Sequence, residues 1–90
     1  MSDIDLCYTS ATDLAALIRD KKLSPVELME GVLARIEAHE PAINAFATLT
    51  ADAAMEAARK AEADVVDGVA LGPLHGIPVT IKDLVVTEGI

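Results

Sequence analysis

Lys82 is the side chain in this sequence best placed to do chemistry. It sits near the end of the stretch LGPLHGIPVTIKD, residues 71–83. A primary amine held among apolar neighbours loses hydration of its charged form. Its pKa falls, and it can then act as a base near neutrality. Gly72, Pro73 and Gly76 mark a turn ahead of it. Ile77, Val79 and Ile81 then alternate with Pro78, Thr80 and Lys82, which predicts a short strand over 77–82. Lys82 shares a face with Thr80, and Asp83 falls on the other face. On spacing alone, a lysine at a strand end beside an aspartate is more often a solvated charge or a surface ion pair.

The other reactive residue types have plainer readings beside the chemical one. Asp83 either orients a neighbouring group or holds Lys82, but a strand-end hydrogen bond to backbone is the plainer reading. His75, in the turn, is a candidate proton shuttle, but a histidine in a Gly/Pro turn is more often structural or exposed. His39 lies near a helix C-terminus, where its cation is favourable without any further role. Cys7 is the one cysteine. With no accompanying His and Asp/Asn pattern it reads as a free thiol rather than a nucleophile. No metal-ligand spacing is present. The glycines at 68, 72 and 76 are interrupted by proline, so they make no phosphate-binding loop.

The elements that must position Lys82 are mostly helical. Residues 1–9 read as a loose arm. Ser10 caps a first helix with Asp13 in its first turn, and Leu14, Leu17 and Ile18 make its apolar stripe. Ser24, Pro25 and Glu27 combine an N-cap, a proline at the first helical position and a capping-box glutamate. In the helix that follows, Val26, Met29, Val32, Leu33 and Ile36 line one face, and Pro41 is expected to stop it near Glu40. Residues 43–50 predict a strand, and residues 51–66 an alanine-rich helix with a Glu56–Lys60 pair. Ala54, Ala57, Ala58 and Ala61 would let that helix approach a neighbour closely. Asp67 and Gly68 open the loop into the lysine segment. The expected order is helix, helix, strand, helix, strand, an α/β arrangement with a parallel or mixed sheet. Residues 10–66 are mainly helical, and 67–90 carry the turn and the lysine strand.

Composition narrows the classes. The net charge of −8 repels phosphate backbones and anionic membrane surfaces, so neither nucleic acid nor membrane is an expected partner. No apolar run is long enough to span a bilayer, and the acidic N-terminus does not resemble a signal peptide. A cytoplasmic setting is the expectation. The chain is 52% hydrophobic but only 2% aromatic, with alanine supplying much of the apolar count. Alanine buries little area. Such a composition suits an outer layer packed on a larger body.

The stretch from Gly72 to Asp83 resembles, without a gap, the catalytic-lysine motif of the amidase signature family, GPL-x-G-[IV]-P-[VI]-x-[IV]-K-D. Upstream, SATDLAALI, LSPVELMEGVLARIE and INAFATLT resemble the family's opening helices and first strand. The resemblance covers the chain from Ser10 onward. It departs at Leu84, where many members carry Asn. What it implies is the mixed-sheet α/β/α fold and amide hydrolysis by a Ser–cis-Ser–Lys triad, with no cofactor. Lys82 carries over as the base for the bridging serine. The serines do not carry over, because Ser2, Ser10 and Ser24 are the chain's only ones and none lies in the family's Gly/Ser-rich context. The resemblance therefore implies the first part of one amidase domain, inactive alone, whose parent acts on a small-molecule amide.

Two alternatives stay open. One is the amidase-type component of a tRNA-dependent amidotransferase, a reading that the long arm before Ser10 and the residue Leu84 weigh against. The other is a non-enzymatic helical module that binds a partner through its apolar faces. An unpaired strand over 77–82 would be an open edge, so the isolated chain is expected to self-associate.

Overall fold

The computed structural model describes residues 3–82 and 85–89; Ser2, Asp83 and Leu84, considered above, lie outside the described residues. Among the described residues the chain forms helices α1 (Asp3–Tyr8), α2 (Ala11–Arg19), α3 (Pro25–Ile43) and α4 (Ala51–Val66). Helix α3 is central, with α1 and α4 both packed on it. Where a loose arm was expected at 1–9, α1 forms instead, because Leu6 is almost fully buried in the core. A single buried leucine is enough to dock one helical turn.

Helix α2 starts as expected. The Ser10 hydroxyl accepts from the Asp13 N–H at 3.2 Å, and Leu14 and Ile18 are buried. It ends in a Schellman motif, with Lys22 N–H donating to Leu17 O at 2.8 Å and Lys21 N–H to Ile18 O at 3.1 Å. Lys21 takes the left-handed conformation there, at φ 61°. This places Leu23 in the core and Ser24 at the start of α3.

Ser24 caps α3 by accepting from Val26 N–H at 3.0 Å, and its hydroxyl donates to the Glu62 carboxylate on α4. The deeply buried face of α3 is Pro25, Leu28 and Gly31. The expected face of Val26, Met29, Val32, Leu33 and Ile36 is only half-buried. Apolar residues wrap most of the helix, so periodicity alone did not rank its two sides. Nor does Pro41 stop the helix. It remains helical to Ile43, and Asn44 ends it in the left-handed conformation with its N–H on Glu40 O at 2.7 Å.

The strand expected over 43–50 is absent. Ile43 closes α3, and the Glu40 carboxylate accepts from Ala45 N–H and, at 2.8 Å, from Phe46 N–H. Those donors are satisfied locally rather than by a ladder. Helix α4 has the expected limits and buries Ala58 and Val65. Its ion pairs are shifted from the expected Glu56–Lys60. Glu56 meets Arg59 at 2.6 Å, and Lys60 meets Asp64 at 3.5 Å. The guanidinium fork offers a carboxylate more donors than an ammonium does.

The core joins Leu6, Leu14, Ile18, Leu23, Leu28 and Val65, with Leu17, Val32, Leu71 and Ile77 packed against it. No strand is assigned among the described residues, so the α/β expectation is met only in its helical part. Residues 77–82 run without a ladder, leaving Val79 73% and Ile81 61% exposed. A strand needs a paired neighbour and an apolar cover, and the described residues present neither to this segment. No described helix is long and apolar enough to cross a membrane.

Candidate active site

The turn ahead of Lys82 is fixed at several points. A second Schellman motif ends α4, with Val69 N–H on Asp64 O at 3.0 Å and Gly68 N–H on Val65 O at 3.2 Å. Gly68 supplies the left-handed residue, at φ 72°. Leu71 then packs on the core. His75 N–H donates to Gly72 O at 3.2 Å and Ile77 N–H to Leu74 O at 3.1 Å, closing two overlapping turns. Ile77 returns to the core. Leu71 and Ile77 thus bracket the turn, and Lys82 follows on the chain leaving Ile77.

Gly76 is where the turn meets the helices. Its φ is 78°, and a Cβ there would lie 2.9 Å from Pro25 Cγ and 3.2 Å from Ile18 Cδ1. Both the backbone conformation and the close approach require glycine. Replacing Gly76 with alanine is expected to destabilise the protein by about 1–3 kcal/mol. The shift of its urea midpoint relative to wild type measures this. An unchanged midpoint would mean that the turn does not dock as described.

His75 is half-buried, and its Nε2 lies 2.9 Å from the carbonyl oxygen of Ala61 on α4. A carbonyl only accepts, so Nε2 carries the hydrogen. His75 thus ties the turn to α4.

Lys82 itself is exposed. Its carbonyl accepts from Val85 N–H at 2.9 Å. The described residues hold the backbone that carries the amine but do not enclose the amine. Ser10 and Ser24 are both helix caps, so neither is brought to Lys82 as a partner. His39 and Cys7 are exposed, and Cys7 is a free thiol. A groove of about 700 Å³ between the end of α3 and the start of α4 is lined by Leu33, Ile36, Glu40 and Leu49. It takes in none of the signature residues.

What the sequence could not reveal are the long-range ties. Glu62 reaches Ser24 across 38 positions, and Ala61 meets His75 across 14. The small residues Ala54, Ala57, Ala58 and Ala61 were the one visible signal that something approaches α4 closely, and of these Ala57 is exposed.

Comparison with known proteins gives a consistent family. The profile of the family described as Amidase matches residues 27–90, which include Lys82. The chain is 45% identical over 86 residues to the A subunit of the glutamyl-tRNA(Gln) amidotransferase of Chloroflexus aurantiacus, covering 96% of this chain and 18% of that protein. It is 47% identical over 87 residues to the protein of the same name from Geotalea daltonii, covering 97% and 18%. It is 42% identical over 95 residues to an acylamidase of Rhodococcus erythropolis, covering 100% and 19%. The chain therefore spans less than a fifth of the length of these relatives. No solved structure matches it.

Proposed function

Because the chain belongs to the amidase family, we propose that it is the opening part of an enzyme that hydrolyses carboxamides, with Lys82 as general base. The observation that carries this reading is the ungapped signature from Gly72 to Asp83, set on a turn anchored by Leu71, Gly76 and Ile77.

In this mechanism the two serines of a Ser–cis-Ser–Lys triad come from the remainder of the longer protein. The amine of Lys82 takes the proton of the bridging serine, which takes that of the nucleophilic serine. The serine oxygen bonds to the amide carbon, and the resulting oxyanion is held by backbone N–H groups. The proton returns through the same relay to the leaving nitrogen, the C–N bond breaks, and ammonia or an amine departs. Water then releases the acid from the acyl-serine. Within the whole fold, residues 77–82 are a strand of a mixed sheet, covered on the face that Val79 and Ile81 now expose. The chain by itself, holding the base without a nucleophile, is inactive and self-associates through that face.

The test is release of ammonia from a panel of aliphatic and aromatic primary carboxamides by the full-length protein. Turnover of at least one member is expected, and no turnover of any would overturn the reading. A second reading, the amidase-type component of a tRNA-dependent amidotransferase, draws on the names of the Chloroflexus and Geotalea relatives. It expects a separate tRNA-binding protein to co-purify with the full-length protein and ammonia to be drawn from glutamine.

A further inference from the structure

We infer that His75 is a positioning residue for the Lys82 reaction, clipping the lysine-bearing segment to α4 through the hydrogen bond from its Nε2–H to the Ala61 carbonyl. This inference rests on the reading of Lys82 as the base. The Ala61 carbonyl belongs to the body of α4 and has a second lone pair beyond its helical bond. The imidazole uses that lone pair, so the clip is added without opening the helix.

The clip matters because of what surrounds it. Among the described residues Val79 and Ile81 are mostly exposed. Two backbone bonds close the turn internally, and among the described contacts it is tied to the helices by the core contacts of Leu71 and Ile77, the docking of Gly76 on Pro25 and the His75 bond. The first three of these ties are apolar contacts that allow sliding. The hydrogen bond is directional and fixes the rotation of the turn about those contacts. A base acting through a serine relay must be held to within fractions of an ångström, and a misplacement of about 1 Å costs about a hundredfold in rate. The bond needs only a donor at Nε2. A positioning role therefore differs from that of a proton shuttle, which glutamine could not replace.

The experiment compares wild type, H75A, H75Q and H75N in the full-length enzyme. Carboxamide hydrolysis is measured well below each melting temperature, and hydrogen–deuterium exchange is followed in the peptide covering residues 77–82. H75A is expected to lower kcat by about ten- to a hundredfold with KM within about threefold, and to speed exchange in that peptide. H75Q, whose side-chain amide reaches the same carbonyl, restores both and leaves the acidic limb of the pH profile in place. H75N, polar but too short, behaves like H75A and carries the comparison if the alanine variant does not fold. An unchanged kcat and exchange rate in H75A, or a glutamine variant as defective as the alanine one, would overturn the proposal. If wild type shows no Lys82-dependent hydrolysis, the amidase reading fails instead, and the exchange data still decide whether the clip holds the segment.

Discussion

Replacing Lys82 with alanine in the full-length protein is expected to lower kcat for carboxamide hydrolysis by about a thousandfold, the middle of the range for loss of a positioned general base. KM should change little, because the amine handles a proton and does not hold the substrate. Lys82 is exposed among the described residues, so K82A in the 90-residue chain should unfold within about 0.5 kcal/mol of wild type. Arginine separates the two ways in which a cation could help. Its guanidinium keeps its proton at all working pH values, so K82R supplies charge without basicity and should be as slow as K82A. A K82R enzyme within tenfold of wild type would assign Lys82 an electrostatic role in place of the base.

The largest stability effect is expected at Leu28, which is 0% exposed and sits where α3 meets the rest of the core. Truncating a fully buried leucine to alanine removes its transfer energy and leaves a cavity, together about 2–5 kcal/mol. Small domains are stable by only about 5–15 kcal/mol. The core offers little to fill the space, since Tyr8 is exposed and Phe46 only half-buried. The urea midpoint of L28A against wild type reads the loss. L74A, at a residue 63% exposed, is the control and should stay within about 0.5 kcal/mol. A loss below about 1 kcal/mol at Leu28 would mean that α3 is not the centre of the packing.

The parts legible in the sequence are those decided locally. Ser10 and Ser24 announce two helix starts because capping is a contact over two or three residues, and both caps are present. Gly68 marks the end of α4 because a left-handed residue is needed there. Pro41 misled because a proline weakens a helix without having to end it, and here Asn44 and the Glu40 carboxylate determine where α3 stops. Residues 1–9 misled because one leucine in a polar arm shows no periodicity, yet Leu6 is enough to dock α1.

The strand over 77–82 and the surroundings of Lys82 were not decidable from within the segment. Alternation shows which face of a strand is apolar. It does not show what pairs with the strand or what covers it, and both are non-local. Lys82 was singled out through the resemblance of residues 72–83 to the amidase signature, while the ties that hold that segment, from His75 to Ala61 and from Gly76 to Pro25, join positions whose nearness exists only in the fold.

The central claim is that Lys82 drives acyl transfer through an enzyme-bound serine. Its most direct test is hydroxamate formation from a primary carboxamide and hydroxylamine, measured side by side for the full-length wild type and K82A. An acyl-serine partitions between water and hydroxylamine, so wild type should form hydroxamate and ammonia together, and K82A should form both at least about a hundredfold more slowly. Equal rates of hydroxamate formation in the two proteins would contradict the account.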